Sequence, residues 1–246
     1  MTILCIETST SVCSAAICKD GAPIKQCICL EGSNHARLLP RYIEELLSFA
    51  REQQLSIDAV ALSEGPGSYT GLRIGTSTAK GLCYGMDIPL IPVPTLAVLC
   101  EAAKAQSPIT NYQSQITNHQ SAILVPMIDA RRMEVYTTDG GEKARAVVVE
   151  NEESVLPPSL AERDGESLPV YYFGDGAAKC QSVLTSPNWH FIPGIVPEAK
   201  YMGGLVESQK SKVESQMISG QQLAYYEPYY LKEFVAAQSH VKGLSS

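Results

Sequence analysis

The stretch Ser63–Leu82, SEGPGSYTGLRIGTSTAKGL, decides how this sequence folds, because a strand, a glycine turn and a helix follow one another in it. The apolar run DAVALS (58–63) predicts the strand, and the spacing of Thr70–Tyr84 predicts the helix. Many phosphate-binding loops join a strand to a helix in this way, so the first question is whether the turn binds a nucleotide.

The spacing of the glycines argues against a nucleotide loop. Gly65, Gly67 and Gly71 form G-x-G-x-x-x-G, whereas dinucleotide-binding turns have G-x-G-x-x-G. Pro66 has no backbone N–H to donate to an anion, and the Gly-Lys-Ser/Thr of a P-loop does not follow. Gly71 and Gly75 lie one helical turn apart, and such small residues let a second helix approach closely. The stretch therefore predicts close packing of this helix, either within the chain or against a partner, rather than a nucleotide loop.

Composition and charge narrow the classes of function. The 246 residues are 45% hydrophobic and 18% charged, which is typical of a globular chain with one large domain or two medium ones. A net charge of −7 disfavours tight binding of nucleic acid by this chain alone. The eight cysteines form no CxxC pair and mostly lie in apolar runs, as buried thiols do. No signal peptide or membrane-spanning run is visible, so we expect a cytoplasmic protein.

The order of predicted elements is the same in both halves of the chain. The first half reads β-β-β-α-β-α-β-α, and the second half repeats it from AILVPMIDA (122–130). In the second half, helices are expected at Pro158–Asp164, at AAKCQSVL (177–184) and from Glu198 to about Lys210. This order predicts two duplicated α/β lobes. The expected divisions are a first lobe at 1–106, a polar linker with the near-repeat ITNYQS/ITNHQS at 107–121, and a second lobe at 122–246.

Two turns have the residue types of a nucleotide site. Glu7, Ser9 and Thr10 in IETSTS place a carboxylate and hydroxyls after the first strand, as actin-like ATPases and sugar kinases do around a phosphate. A plain hairpin turn explains these residues equally well. In the second half Asp129 suits a metal-nucleotide site, but bulky arginines at 131 and 132 follow it. Gly174 and Gly176 either border an adenosine pocket or shape a strand-to-helix turn.

Six segments together resemble the TsaB (YeaZ) family. They are ILCIETSTSVCSAAI (3–17), NHARLLPRYIEELL (34–47), the long block from Ala59 to Leu99, MIDARRMEVY (127–136), GDGA (174–177) and PYYL (228–231). This family is needed to make N6-threonylcarbamoyladenosine at position 37 of tRNAs that read ANN codons. The resemblance implies the actin-like/sugar-kinase/Hsp70 (ASKHA) fold, which agrees with the duplication.

The same resemblance implies an accessory subunit rather than an enzyme. The related catalytic subunit, TsaD, carries an H-x-x-x-H metal motif after the strand that follows the glycine-turn helix. Thr95 and Leu99 stand in that place here, and leucine cannot bind a metal. We therefore expect neither a metal nor a cofactor. The histidines are scattered without ligand spacing, at His35, His119, His190 and His240.

The resemblance also implies partners, with a surface made by the helices near 34–51 and 70–84. The implied partners are TsaD, the small ATPase TsaE, a second copy of the chain through the same face, and tRNA only within the assembly. The alternative from another class is an ATP-dependent small-molecule kinase or ATPase of the same fold. The residues predicted to contact a partner are His35, Leu38, Leu39, Tyr42, Gly71, Leu72, Gly75, Thr78 and Leu82.

Overall fold

The computed structural model contains the strand, glycine turn and helix that the sequence predicts at 63–82. It describes residues 1–30, 32, 34–105, 122–138, 143–163 and 166–232. The predicted linker at 107–121 lies outside the described residues.

The first lobe is built on a five-stranded sheet. Its strand order is β3-β2-β1-β4-β5, with an antiparallel meander of three strands followed by two strands parallel to the first. The first strand is central and wholly buried, as its uninterrupted apolar run requires. The strands are β1 (Thr2–Glu7), β2 (Cys13–Lys19), β3 (Ala22–Cys29), β4 (Ala59–Gly65) and β5 (Leu90–Pro94).

Three helices of the first lobe match the predicted order. They are α1 (His35–Glu52), α2 (Tyr69–Met86) and α3 (Thr95–Lys104). α1 and α2 cover one face of the sheet, and α1 buries Leu39, Ile43, Leu46 and Ala50, which recur at helical spacing. The Ser68 side chain caps α2 by accepting a hydrogen bond from the backbone N–H of Gly71.

The second lobe has the same kinds of strand in two smaller sheets. Three parallel strands form one sheet in the order β13-β12-β6, and an antiparallel meander forms the other in the order β7-β8-β9. The two-lobed α/β fold expected from the sequence is therefore confirmed. The strands are β6 (Ile123–Pro126), β7 (Ile128–Asp129), β8 (Glu134–Thr138), β9 (Ala144–Val148), β10 (Glu162–Arg163), β11 (Glu166–Ser167), β12 (Val170–Phe173) and β13 (Trp189–Ile192).

The helices of the second lobe are shorter than predicted. The structure has α4 (Glu152–Val155) and α5 (Pro158–Ala161), after which the chain turns into the β10–β11 hairpin. The run AAKCQSVL forms a single 3-10 turn at Ala178–Cys180. Short helices gain little from propensity alone, and in this run Ala177, Cys180 and Leu184 are buried in the core while Val183 is only partly buried against it.

The described segment from Ala199 to Tyr226 returns to the first lobe. After a 3-10 turn at Ala199–Tyr201 come α6 (Met202–Ser208), α7 (Lys210–Gln216) and α8 (Gln221–Tyr225). A lobe division at 122–246 therefore does not describe where this segment packs, and the polar tract 208–222 is largely helical. The physical reason is its apolar residues, since Ala199, Met202, Val206 and Val213 cover the second face of the first sheet.

Across the described ranges, none of the helices is both long enough and apolar enough to cross a membrane.

Candidate functional site

The turn after β1 is held by the glycine turn and by the starts of α1 and α2. The backbone N–H of Ser68 donates to the carbonyl of Ser9 over 2.6 Å. The Thr8 hydroxyl donates to the carbonyl of Gly71 over 2.9 Å. The ring Nε2 of His35 donates to the carbonyl of Thr10 over 2.9 Å. The Thr8 hydroxyl and the carbonyls of Ser9 and Thr10 are therefore already hydrogen-bonded to other residues of the same chain.

The glycines of the opening stretch are required by this internal packing. A Cβ atom on Gly67 would lie 2.3 Å from the Ser9 carbonyl oxygen, and one on Gly75 would lie 2.3 Å from the Thr8 hydroxyl oxygen. A Cβ atom on Gly71 would lie closer still, 2.0 Å from the Thr8 carbonyl oxygen. Within the chain, the closest neighbour of a Cβ atom on Gly71 or Gly75 is therefore Thr8 of the β1–β2 turn, and contact of these glycines with a partner helix stays a prediction.

Glu7 belongs to the same buried turn. Its Oε1 accepts from the backbone N–H and the hydroxyl of Ser9, over 2.6 and 2.5 Å. Burial raises the pKa of the Glu7 carboxyl, although the hydrogen bonds from Ser9 oppose the shift. Oε2 is buried and accepts no hydrogen bond from the described residues. Glu7, Ser9 and Thr10 thus lie together as predicted, but their polar groups face the interior of the chain.

Asp129, Gly174 and Gly176 form a second cluster, in the other lobe. The backbone N–H of Asp129 donates to Asp175 over 3.0 Å, and the Lys179 ammonium pairs with the Asp129 carboxylate. Burial raises the pKa of Asp175. A Cβ on Gly174 or on Gly176 would strike the backbone of the 127–129 segment. The glycines therefore shape the turn, the second of the two roles left open for them.

Five of the nine residues predicted to contact a partner are buried inside the chain. Two more, Leu38 and Tyr42, are partly buried on the flank of α1 that packs toward β2 and β3. The family resemblance had implied a surface made by these two helices, but the apolar face of each helix turns toward the sheet beneath it. The five buried residues are His35, Leu39, Gly71, Leu72 and Gly75.

The remaining two, Thr78 and Leu82, line an open groove between α1 and α2. We call this surface the α1–α2 groove. Sequence reasoning missed most of its residues, although Ser77, Gly81 and Gly85 repeat at four-residue spacing on the exposed face of α2. No heavy atom of the described residues outside the helix backbone lies within 4 Å of a Cβ built on Gly81. The groove is lined by Pro40, Ile43, Glu44, Leu47, Arg51, Ser77, Thr78, Gly81 and Leu82.

The two residues at the positions of the H-x-x-x-H motif, Thr95 and Leu99, have packing roles in this structure. The Thr95 hydroxyl accepts a hydrogen bond from the backbone N–H of Gly65 over 3.2 Å, and Leu99 is fully buried between the lobes. Within the described part of the chain, no three His, Cys, Asp or Glu side chains are grouped so that they could hold a metal ion.

The late PYYL segment packs over the glycine turn. The backbone N–H of Tyr229 donates to the Glu64 carbonyl over 2.7 Å, and the Tyr230 ring lies 4.9 Å from that of Tyr69. Burial raises the pKa of Glu64. Just after this segment, the Lys232 ammonium forms an ion pair with Glu134 of the second lobe. The segment therefore links the two lobes beside α2.

The duplicated lobes, with a buried turn after the first strand, define an α/β protein of the actin-like ASKHA class. The family model described as "TsaD: tRNA N6-adenosine threonylcarbamoyltransferase" matches residues 30–156. The tRNA threonylcarbamoyladenosine biosynthesis protein TsaB of Haemophilus influenzae is 30% identical over 246 residues, which cover 96% of this chain and 95% of that protein. The chain belongs to the TsaB family.

Two further comparisons agree with this assignment. TsaB of Escherichia coli K12 is 30% identical over 169 residues, or 68% of each chain. The solved structure of YeaZ from Pseudomonas aeruginosa superposes with a TM-score of 0.66 at 22% identity, covering 94% of this chain and 99% of that one. The structural similarity supports the fold, and the assignment to the family rests on the sequence similarity.

Proposed function

We propose that this chain is an accessory subunit in the synthesis of N6-threonylcarbamoyladenosine in tRNA, and that its α1–α2 groove binds the TsaD threonylcarbamoyltransferase. The role in this synthesis follows from membership of the TsaB family. The observation that supports the binding surface is the open groove itself, since both of its walls are long helices packed firmly on the first sheet.

The chemistry of the groove suits a packed protein partner. Its walls include the aliphatic side chains of Ile43, Leu47 and Leu82, while Glu44 and Arg51 are exposed at its rim. An apolar centre inside a charged rim is the usual anatomy of a protein interface. Glycine within a helix costs about 1 kcal/mol relative to alanine, so an exposed glycine at 81 favours close approach by another backbone.

TsaD is the proposed partner because its family model covers the residues that form this surface. The match spans 30–156, and therefore includes both α1 and α2. A protein of that family is expected to carry counterparts of these helices, so two related surfaces can pair around an approximate two-fold axis. A second copy of this chain would present the same surface, which makes a homodimer the natural competitor of the complex.

The other implied partners belong to the same proposal. TsaE and tRNA would be met in the assembly rather than by this chain alone, because a net charge of −7 provides no strong attraction for a phosphate backbone. The proposal includes a cytoplasmic location, because the modified substrate is tRNA. The chain itself carries no step of the transfer, since the groups of its β1–β2 turn are engaged internally.

Binding of TsaD to a groove variant tests the proposal. Gly81→Gln adds a side chain to the floor of the groove, and Gly204→Gln is the matched control, because both glycines are helical and have open space beside them. Overpacking costs about 1–3 kcal/mol, so the Gly81 variant should bind TsaD of the same organism roughly five- to 150-fold more weakly by calorimetry.

The control variant should bind TsaD like the wild type. Equal affinity of both variants, each folded by circular dichroism, would place the interface elsewhere. The alternative function is tested on the same preparations, because an ATP-dependent kinase or ATPase should hydrolyse or bind ATP without TsaD.

A further inference from the structure

Three cysteine side chains share one face of the first sheet, under α1. Cys13 begins β2, and Cys27 and Cys29 end β3. Residues two apart on a strand point to the same face, and the strand register pairs Cys13 with Cys29 and Ala15 with Cys27. Burial raises the pKa of the Tyr42 phenol on α1, and Cys29, Cys13 and Cys27 beside it raise that pKa further. The thiols therefore lie together beneath this helix.

The spacing of Cys13 and Cys29 suits a disulfide. Residues directly opposite in an antiparallel pair have Cα atoms about 4.5–5.5 Å apart. Disulfides join Cα atoms about 4.4–6.8 Å apart, so the two strands need not move far to form one. Cys13 and Cys29 form the terminal register pair at one end of the β2–β3 ladder.

The three thiols differ in access and in reactivity. β3 is the edge strand of the sheet, and Cys29 is partly exposed on it. Cys13 is fully buried, and burial raises the pKa of its thiol to about 11. Burial also raises the pKa of Cys27, and the nearby Glu45 carboxylate raises it further. The thiolate is the nucleophile, and an external reagent must reach it. Cys29 is the one of the three that is partly exposed, so we expect it to react first.

We propose that Cys13 and Cys29 form a cross-strand disulfide when the protein meets a low-molecular-weight disulfide such as oxidised glutathione. The pair is then a redox modification site at the edge of the first sheet. The Cys29 thiolate attacks one sulfur of the reagent, forms a mixed disulfide and releases one glutathione thiolate. The Cys13 thiol then loses its proton and attacks the Cys29 sulfur, releasing the second glutathione. Two protein thiols are oxidised and one glutathione disulfide is reduced to two thiols.

A second thiol pair on the opposite face of the sheet provides an internal control. The Sγ atoms of Cys5 and Cys18 are 3.8 Å apart. Both residues are fully buried, and the Cys18 sulfur packs against Gly203 of α6 and the Lys200 carbonyl. A charged tripeptide disulfide cannot reach them in the folded protein. We expect these two cysteines to remain thiols under conditions that oxidise the edge pair.

The test uses the full chain with oxidised glutathione as the probe. Acid quenching, alkylation after unfolding, and peptide mass spectrometry should find Cys13 linked to Cys29, with Cys5 and Cys18 alkylated. Two results would overturn the proposal: alkylation of both Cys13 and Cys29, or Cys29 recovered only as its glutathione adduct. This readout needs no partner protein, so its failure leaves the proposed function untouched.

Three variants assign the steps. Cys13→Ser should trap Cys29 as the glutathione adduct, because the resolving thiol is missing. Cys29→Ser, a change at a partly exposed position, should leave Cys13 as a thiol. Cys27→Ser is the matched control on the same strand and face, and it should still form the bond. A bond that survives Cys29→Ser but not Cys27→Ser would show that the pair is wrongly assigned.

Discussion

The carbonyl oxygen of Thr8 lies 2.0 Å from the position that a Cβ atom on Gly71 would occupy, and the Thr8 hydroxyl donates to the Gly71 carbonyl over 2.9 Å. The turn after the first strand and the first turn of α2 are thus in backbone contact. This contact explains the first glycine of the TGLRIG segment without any ligand.

Gly71→Ala should destabilise the fold. Its Cβ cannot fit beside the Thr8 backbone, so α2 must move away from the sheet, at a cost of about 1–3 kcal/mol or more. Gly81→Ala is the control on the same helix, where open space and better helix propensity should raise the free energy of unfolding by about 0.5–1 kcal/mol. Urea denaturation of the two variants measures both changes. Equal stabilities would contradict the packing described for Gly71.

Gly75→Leu should impair folding itself. Helix propensity alone suggests a folded monomer with a damaged interface, but a Cβ here would lie 2.3 Å from the Thr8 hydroxyl and 3.2 Å from Leu62. We therefore expect loss of soluble, cooperatively unfolding protein, measured by thermal melting. A variant that melts like the wild type and loses only TsaD binding would restore the interface interpretation of this position.

Glu7→Gln should change how stability depends on pH. Burial raises the folded-state pKa of Glu7 above its ordinary value of 4.5, so between those two values the folded protein binds more protons than the unfolded chain. The free energy of unfolding of the wild type should therefore fall as the pH rises through this window, and the full penalty remains above it. Glutamine cannot titrate and can still accept the hydrogen bonds from Ser9.

The Glu7→Gln variant should accordingly have a flatter pH profile and at least wild-type stability at neutral pH, measured by urea denaturation from pH 4 upward (about the start of the unfolded-state titration). Glu44→Gln is the control, because Glu44 is exposed in the α1–α2 groove. A steeper loss of stability with pH in Glu7→Gln than in the wild type would contradict the buried-acid account.

Lys80→Met should loosen the C-terminal segment. The Lys80 ammonium donates to the carbonyls of Ala224 and Tyr226, over 2.7 and 3.1 Å, where α8 ends. Loss of these charge-assisted bonds should cost about 1 kcal/mol and speed amide exchange in that segment. Lys104→Met removes an exposed pair with Glu101, and should cost about 0.5 kcal/mol or less. Equal effects would show that the Lys80 contacts do not hold the segment.

The isolated protein should bind tRNA weakly. With a net charge of −7, few phosphate contacts are available to release counterions. Filter binding in ~150 mM salt, the physiological range, should give no micromolar affinity, whereas addition of TsaD should create binding. Tight binding by the isolated chain would reveal a basic surface that the net charge conceals.

The order of elements and the family were determined by the sequence alone. Strand and helix periods are local properties, so the buried faces of β1, β4 and α1 follow from the spacing of residues such as Leu39 and Leu46. The absence of a Gly-Lys-Ser/Thr and the G-x-G-x-x-x-G spacing likewise argue against a phosphate loop from sequence alone. The second lobe was predicted less well, because its helices are short and gain their stability from packing.

Tertiary structure alone decided what each glycine faces. Gly71, Gly75 and Gly81 lie on one helix and look alike in sequence, yet two contact the β1–β2 turn and the third opens into the α1–α2 groove. The direction of a helix face depends on where the sheet lies beneath it, and residues far apart in sequence supply that sheet. For the same reason, the sequence could not show that residues 199–225 return to cover the first lobe, since their neighbours there come from strands near the start of the chain.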